Sequence, residues 1–455
     1  MDFSYYDVLK MEPVFYQHTQ QNYKYRMLTM VIVILYIIEY HFIYENFIAK
    51  YFSYSNINYS SLTSIRYYSL IIQAFLPFLF FKGANSISSL YSFFIYILVY
   101  IPIVDALYTC GIPEAISRPY GLAFFISMSL FFISDKLFLG KRHINRERRG
   151  IPFGIFEIVS LLMLLFCILI NRDNMTFVNF LSDSSDLYEM RAAYISSGKY
   201  RIAYYFVLWL AHFILPLLSV VYIANKSYLK LVTVMIASIL VYMINMQKAT
   251  FIIPILIVFV YYVYNKFEDA LSSFIPILSL LLLGGVSLLL YSNSGNPVVF
   301  RIAAIFIMRS QCIEGMELDR YIHFFEMSNN PSTHYTHIGL INKLTGAYPY
   351  PESIGRMVAG DGANSNATFW LMDGVAAEGI LGVLLISVLF IIVKGYLNTI
   401  GLKYNYIVVV FSLLYVFSAT ANVSLFTVII SEGLLLALLT FCFVDIPIPR
   451  NGSLN

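Results

Sequence analysis

Apolar segments about twenty residues long follow one another along most of this chain, and they limit what it can fold into. A helix needs about 20 apolar residues to cross the roughly 30 Å of hydrocarbon in a bilayer. Every backbone polar group inside the bilayer must be bonded within the protein, and a helix does this with its own residues. We predict an all-α polytopic membrane protein with about twelve transmembrane helices, at 27–48, 66–81, 87–108, 119–134, 151–170, 201–224, 229–246, 249–265, 271–292, 374–393, 404–419 and 424–443.

The composition agrees with a membrane protein and excludes several other classes. Of the 455 residues 59% are hydrophobic and only 12% are charged, against about 25% charged in soluble domains. The net charge of +3 is too small to indicate nucleic acid as a partner. The four cysteines form no CxxC pair and no metal-ligand spacing. With no nucleotide-binding loop either, no cofactor is expected.

Basic residues give the orientation of the predicted helices, since loops rich in Lys and Arg stay in the cytoplasm. The most basic linker is 135–150, with Lys136, Lys141, Arg142, Arg146, Arg148 and Arg149. Placing this linker inside puts both chain ends in the cytoplasm. Two sizeable loops then lie outside, a smaller one at 171–200 and a large one at 293–373 between spans nine and ten. No soluble domain is apparent, so 1–455 is predicted to be a single integral membrane domain.

The large outer loop carries the most information about function. A carrier or flippase has little need of about eighty polar residues outside, whereas an enzyme acting on a lipid-anchored substrate works at that surface. We expect the loop to pack on the membrane helices, because it is too small for a core of its own. Asn296-Pro297 predicts the start of a helix over 297–327, since proline fits the first turn.

Several outer cations contradict the positive-inside rule and need an explanation. They are Arg172, Arg191, Arg201, Lys248, Arg301, Arg309, Arg320 and Arg356. Each either reaches lipid headgroups or binds a phosphate of a lipid substrate. Arg301 is the best candidate for phosphate, because it lies in the early turns of the predicted helix, where free N–H groups favour an anion.

The other cations leave both interpretations open. Arg309 and Arg320 lie about three helical turns apart and share one face. Alternatively, both arginines pair with acidic residues of the same segment, namely Glu314, Glu317 and Asp319. Arg191 falls in a predicted short outer helix, and Lys248 lies at the outer end of two spans, where a lysine often anchors a helix to the interface.

Three outer groups are candidates for acid–base chemistry. Asp361 lies between two glycines, which let the backbone approach a ligand closely. Asp373 lies at the membrane boundary, with a helix N-cap as its alternative. His334 has an intrinsic pKa near neutrality. His334 and His337 have a spacing that suits a metal, but no carboxylate cluster completes such a site. Glu378 falls inside the tenth predicted span, where an ionisable group is expensive.

The large loop resembles that of bacterial O-antigen polymerases of the Wzy type, the oligosaccharide repeat-unit polymerases. The resemblance lies in Phe300-Arg301-Ile302, Tyr321–Pro331, Ala347-Tyr348-Pro349-Tyr350-Pro351, Ile354-Gly355, Ala363–Phe369, Asp373-Gly374 and Gly379–Gly382. It covers about ninety residues. Elsewhere the chain is similar in hydropathy, loop placement and span number. Ala377 and Glu378 stand where the family usually has Asn and Phe.

The resemblance implies a glycosyltransferase C-like fold in a bacterial inner membrane and an enzyme of lipopolysaccharide biosynthesis. A growing glycan moves from undecaprenyl diphosphate to a hydroxyl on the distal sugar of another lipid-linked repeat unit. Partners are these glycans and membrane lipid, with a chain-length regulator and a flippase in the same pathway. We assign the diphosphate to Arg301, Arg309, Arg191 and Lys248. Catalysis is assigned to Asp373, His334 and Asp361, and acceptor sugar binding to Asn364, Asn366, Tyr348 and Trp370.

Two other functions stay open. An O-antigen ligase-like transferase shares the donor and an Arg-rich outer loop, but it uses a different acceptor. A polysaccharide flippase also has about twelve spans, but its outer loops are short and its ionisable residues line a central cavity.

Overall fold

The structure is a computed structural model that describes residues 21–52, 58–140, 150–177, 201–266, 268–308, 312–360 and 364–447. Eight helices in these ranges are long and apolar enough to cross a membrane: Arg26–Tyr51, Ile87–Thr109, Glu114–Lys136, Phe153–Asn171, Ile202–Ala224, Tyr228–Asn245, Phe274–Ser292 and Trp370–Lys403. Shorter apolar helices are Ser64–Phe80, Lys248–Tyr264, Pro297–Ile307 and Leu434–Phe443. The prediction of an all-α, multi-pass protein is confirmed.

The chain forms two compact units. The first contains Met1–Leu137, Asp269–Gly395 and Ala421–Leu425. Its first helices are α1 (Gln21–Ile43), α2 (Ser64–Phe75), α3 (Ile87–Ile95), α4 (Ile101–Thr109) and α5 (Glu114–Ile133). Local sequence explains where some of them begin. Ser86 and Ser89 bond each other's backbone N–H in a capping box that starts α3.

The second unit contains Phe138–Glu268, Tyr396–Thr420 and Phe426–Asn455. Its first helices are α6 (Phe153–Asn171), α7 (Arg201–Trp209), α8 (Leu215–Ala224), α9 (Tyr228–Asn245) and α10 (Lys248–Lys266). A short parallel pair of strands, β1 (Ile151–Pro152) and β2 (Val444–Asp445), joins the two ends of the unit. Leu161, Leu162 and Leu169 of α6 are exposed, as expected of a helix that faces lipid.

The large loop at 293–373, which we call the polar insertion, belongs to the first unit, and its described part is largely helical. After α11 (Glu268–Ser292) come α12 (Pro297–Ile307), α13 (Ile313–Ile322), α14 (Gly339–Thr345), α15 (Ile354–Ala359) and α16 (Ala376–Lys403). The predicted start at Pro297 is confirmed, since the Asn296 side chain accepts a hydrogen bond from Val298 N at 2.9 Å. α13 packs on α4, and Gly315 permits the approach because a Cβ there would lie 3.0 Å from Pro102 O.

The last two predicted spans are interrupted helices. Residues 404–419 form α17 (Tyr406–Ser412) and α18 (Leu414–Ala419), and residues 424–443 form α19 (Leu425–Ile430) and α20 (Leu434–Phe443). The second break falls at Gly433, whose φ of 91° is left-handed and suits glycine best. Neither segment is the single continuous helix that was predicted.

Single π-helical turns recur in the described helices. They lie at Tyr44–Ile48, Tyr96–Tyr100, Leu210–Ile214, His323–Met327 and Trp370–Val375. Such turns commonly mark functional positions in helices. The last two flank the region with the most polar side chains, and both belong to the first unit.

Buried ion pairs tie together the first unit. Lys394 Nζ lies 3.1 Å from Asp135 Oδ1 and donates to Ser92 Oγ at 2.6 Å. Lys394 is fully buried and does not meet solvent. In the same unit His41 Nδ1 lies 2.7 Å from Asp105 Oδ1. Removing one partner of a buried charged pair such as Lys394–Asp135 leaves an uncompensated buried charge, which is strongly destabilising.

Candidate functional site

A turn in the polar insertion is held against the start of α16. Thr333 N donates to Ala376 O at 2.8 Å, and His334 N donates to Ala377 O at 3.2 Å. His334 and Tyr335 both have left-handed backbone, with φ of 46° and 61°. This conformation is uncommon for residues other than glycine. The surrounding bonds therefore hold the turn in a defined shape.

A kink in α16 faces this turn. Glu378 has φ −144° and Gly379 has φ 59°, so the helix is broken between two helical stretches. A Cβ at Gly379 would lie 3.1 Å from Tyr120 Oη and 3.3 Å from Glu326 Oε1. Tyr120 Oη itself donates a short hydrogen bond to Glu326. Glycine thus supplies both the conformation and the space that the kink needs.

The kink brings Glu378 to His334. The His334 Nδ1 atom lies 2.8 Å from Glu378 Oε1, and the His334 side chain is 70% exposed. A proton on Nδ1 that is donated to the carboxylate leaves the lone pair on Nε2, with the tautomer assigned from this geometry. Nε2 has no hydrogen-bond partner within the described part of the chain. An oriented imidazole with a free nitrogen is suited to accept a proton from a hydroxyl group.

Asp373 lies in a second, buried histidine–carboxylate pair. Its Oδ1 accepts from His337 Nε2 at 3.0 Å and from Ser424 Oγ at 2.6 Å, and its Oδ2 accepts from Leu425 N at 2.6 Å. Asp373 is 0% exposed and lies inside a π-helical turn. The alternative of a helix N-cap is wrong, because its carboxylate bonds groups outside its own helix. Asp373 presents no surface to a substrate here, and its contacts are those of a group that orients His337.

Two acidic residues of α13 hold the neighbouring segment 365–368, and a third, Asp319, accepts from Asn58 Nδ2 at 2.8 Å. Glu314 Oε2 accepts from Thr368 N at 3.2 Å, and Arg320 links Glu317 at 3.2 Å to Ser365 at 2.8 Å. Burial raises the pKa of Glu317 to about 7, and the opposing influence of Arg320 does not cancel it. Burial also raises the pKa of Glu314 and of Asp319. The alternative given for Arg320, pairing within its own helix, is therefore confirmed.

The predicted sugar-binding residues separate into two groups. Asn364 and Asn366 are exposed, and Asn364 Nδ2 donates to Asn366 Oδ1 at 3.0 Å. Tyr348 is half-buried, with its hydroxyl donating to Glu352 O. Trp370 is 0% exposed, stacks on Phe131 and donates to Ser387 Oγ at 2.8 Å. Trp370 is a core residue with no surface for a sugar, so we remove it from the predicted set.

The predicted diphosphate cations are only partly described. Arg301 is exposed on α12, and no acceptor lies within hydrogen-bond distance of it in the described ranges. Lys248 is the first residue of α10, in the second unit. Arg191, Arg309 and the candidate base Asp361 lie outside the described residues. Their predicted roles stay predictions.

The site as described consists of two histidine–carboxylate pairs. His334 and His337 come from one turn, and Glu378 and Asp373 come from the start of one membrane helix. The pairing of His337 with Asp373 and the role of Glu378 were not predicted, because residues about forty positions apart gave no local signal. The described residues hold no group of three His, Cys, Asp or Glu side chains arranged for a metal ion. Comparison of the chain with protein-family models, curated proteins and solved structures gives no match.

Proposed function

We propose that the protein polymerises lipid-linked oligosaccharide repeat units at the outer face of a bacterial inner membrane. The observation that carries the proposal is the exposed His334–Glu378 pair, held beside the start of a membrane-spanning helix. A lipid-linked sugar brings its reactive carbon close to this boundary, since only a diphosphate separates it from the lipid. The loop resemblance described above supplies the substrate class.

In the proposed reaction His334 is the general base. Its Nε2 takes the proton from a hydroxyl on the distal sugar of the acceptor as the oxygen attacks the anomeric carbon of the donor. The new C–O bond forms while the bond to undecaprenyl diphosphate breaks, and the diphosphate leaves with the electron pair. Glu378 stabilises the imidazolium that results. Asp373 acts as a positioning residue through His337.

The leaving diphosphate requires positive charge as its bond breaks, and preorganised cations provide it. We propose Arg301 for this role, with Arg309, Arg191 and Lys248. The side chain of Arg301 on α12 is exposed and meets no acceptor within the described part of the chain, which supports the assignment. We propose that the acceptor sugars bind to three residues of the same insertion, Asn364, Asn366 and Tyr348. Asp361 stays an alternative base.

The test is the glycan profile of a deletion strain complemented with variants. We expect deletion to leave single-repeat glycan on the cell surface and wild type to restore long chains. His334→Gln and Glu378→Gln should give single repeats at normal protein level, whereas Glu352→Gln, an exposed glutamate of the same insertion, should give long chains. Long glycan chains in the His334→Gln strain would show that His334 is not the general base. Long chains that stay on the lipid in the deletion strain would indicate a ligase, and complete loss of surface glycan would indicate a flippase.

The proposed topology has twelve spans, both termini in the cytoplasm and residues 293–373 outside. The shorter helices Ser64–Phe80 and Lys248–Tyr264 and the two interrupted C-terminal segments, 404–419 and 424–443, supply four spans beyond the eight long ones. Alkaline phosphatase fusions should be active at Ser332 and inactive at Asn145. The opposite pattern would invert the orientation and remove the insertion from the face where the reaction is proposed.

A further inference from the structure

The first unit contains a groove that the proposed chemistry does not use. It has a volume of about 540 Å³ and lies between α2, α4 and α5. Its apolar part is lined by Ile72 and Leu76 on one side and by Leu122 and Phe125 on the other. Ile72 is 56% exposed and Leu122 is 59% exposed, so the groove opens sideways towards lipid.

Two guanidinium groups lie at one end of this groove, which we call the mouth. Arg66 lies in the first turn of α2 and Arg118 lies in the second turn of α5. The Arg66 guanidinium has no hydrogen-bond acceptor among the residues that the structure describes, and only the backbone N–H of Arg66 donates, to Thr63 Oγ1. In the described ranges Arg118 pairs with Glu114 alone, at 2.5 Å, and its side chain is 78% exposed. Such an exposed pair contributes little stability, so Arg118 is available to a stronger anion.

Polar groups line the groove just below the mouth. Tyr108 Oη donates to Gln73 Oε1 at 2.8 Å. The Gln73 amide packs closely on α5 at Gly121, where a Cβ would lie 2.7 Å from Gln73 Nε2 and would displace the amide. Both arginines lie close enough to the Tyr108 hydroxyl to act on it electrostatically. The mouth thus combines two guanidinium groups and one carboxylate, a net charge of +1, with an amide and a hydroxyl beneath them.

The mouth lies at the same end of α5 as the His334–Glu378 pair. Tyr120, two residues after Arg118, points away from the groove and donates to Glu326 next to Gly379. The groove and the Gly379 kink, which adjoins Glu378, therefore lie on different faces of the first turns of α5. A helix with its side chains is about 10–12 Å across. A ligand whose charged head lies in the mouth can extend over these turns to His334.

We propose that this groove binds the lipid-linked acceptor, with its diphosphate at Arg66 and Arg118 and its first isoprenyl units between α2 and α5. The inference rests on the proposed function, in which two polyprenyl diphosphates must be bound at once. Guanidinium groups suit phosphate oxygens because they form bidentate charged hydrogen bonds. The groove between α2 and α5 accepts a single lipid tail, which favours a polyprenyl lipid over a phospholipid with two tails. Arg301 then serves the donor, and the two diphosphates have separate sites.

The experiment counts lipids bound to the purified full-length protein by native mass spectrometry, with undecaprenyl diphosphate as the probe. We expect two probe molecules on wild type and one on R66A/R118A. Each single substitution should weaken one of the two binding steps about 10-fold or more, as expected for loss of a hydrogen bond to a charged group. Leu122→Trp fills the apolar part of the groove without removing a charge, so this variant should also bind one probe molecule. Arg172→Ala removes an exposed arginine from the second unit and should leave two.

Each outcome decides one question. Two molecules on both R66A/R118A and Leu122→Trp would overturn the groove assignment while leaving the proposed reaction intact. Equal competition from phosphatidylglycerol for the site lost in R66A/R118A would identify a general anionic-lipid site and also overturn it. No undecaprenyl diphosphate on wild type would reject the proposed function itself. Loss of one lipid in both groove variants, with phosphatidylglycerol unable to displace it, supports the acceptor site.

Discussion

Replacing Glu317 with glutamine should reduce the pH dependence of stability in the first unit. Burial raises the pKa of this carboxyl from 4.5 to about 7. The folded protein therefore holds the proton more tightly than the unfolded chain. Stability from this group is greatest below pH 4.5, falls as the pH rises towards 7, and does not change further above that. The pKa difference corresponds to about 3 kcal/mol.

The melting temperature is the quantity to measure. A change of 1 kcal/mol shifts it by roughly 2–4 °C in a domain of 150–250 residues, so we expect about 5–10 °C from Glu317. The chain has two tryptophans, and Trp209→Phe leaves Trp370, which lies in the first unit. Fluorescence of Trp370 in detergent then reports the melting of that unit at pH 5 and at pH 8.

In this Trp209→Phe background, Glu317→Gln should reduce the difference between the two melting temperatures by about 5–10 °C. Glutamine keeps the shape of the protonated acid but cannot ionise. Glu352→Gln is the matched control, since Glu352 is an exposed glutamate of the same insertion, and it should leave the difference unchanged. An unaltered difference in Glu317→Gln would refute the reasoning, because Glu317 would then titrate as a solvated group.

Three further substitutions test other parts of the protein. Arg301→Ala should abolish long glycan chains at normal protein level, and Arg301→Lys should keep part of the activity, because lysine offers a point charge instead of a bidentate fork. Gly379→Ala should lower stability by about 1–3 kcal/mol in a thermal melt, since it strains a left-handed position. Gly285→Ala, where a Cβ meets nothing within 4 Å, should not. Lys394→Met should reduce the amount of folded protein through a loss of about 3–5 kcal/mol, and adding Asp135→Leu should restore it, as size-exclusion chromatography would measure.

Much of the fold could be predicted from the sequence because hydropathy acts locally. The length of each apolar run determines whether it can cross a bilayer. The pair Asn296-Pro297 is enough to predict where α12 begins. The polar run Ser431-Glu432-Gly433 was a local signal for the interruption at Gly433. The prediction missed it because the residues on both sides are strongly apolar. Apolar content alone does not distinguish one long helix from two short ones.

The candidate site was predictable only in part, because its pairs join residues far apart in the chain. His334 was identified from its intrinsic chemistry, and the structure adds Glu378, 44 positions away, as its partner. Glu378 was assigned to the membrane interior because a continuous tenth span was assumed. The following residue, Gly379, was the available signal for a break. Asp373 was identified as a residue of interest, but its burial depends on Ser424 and Leu425, which no local pattern connects to it.

The π-helical turn at Trp370–Val375 holds one residue more than an α-helical turn, yet it completes the same single turn. In a regular α-helix an extra residue would rotate everything before it by about 100°. Because the π turn absorbs its extra residue in one wider turn, loss of the single codon for Met372 would leave an α-helical turn and keep the insertion in phase with α16. Related chains can thus change length by one residue at this turn and keep the insertion aimed over an unchanged membrane helix.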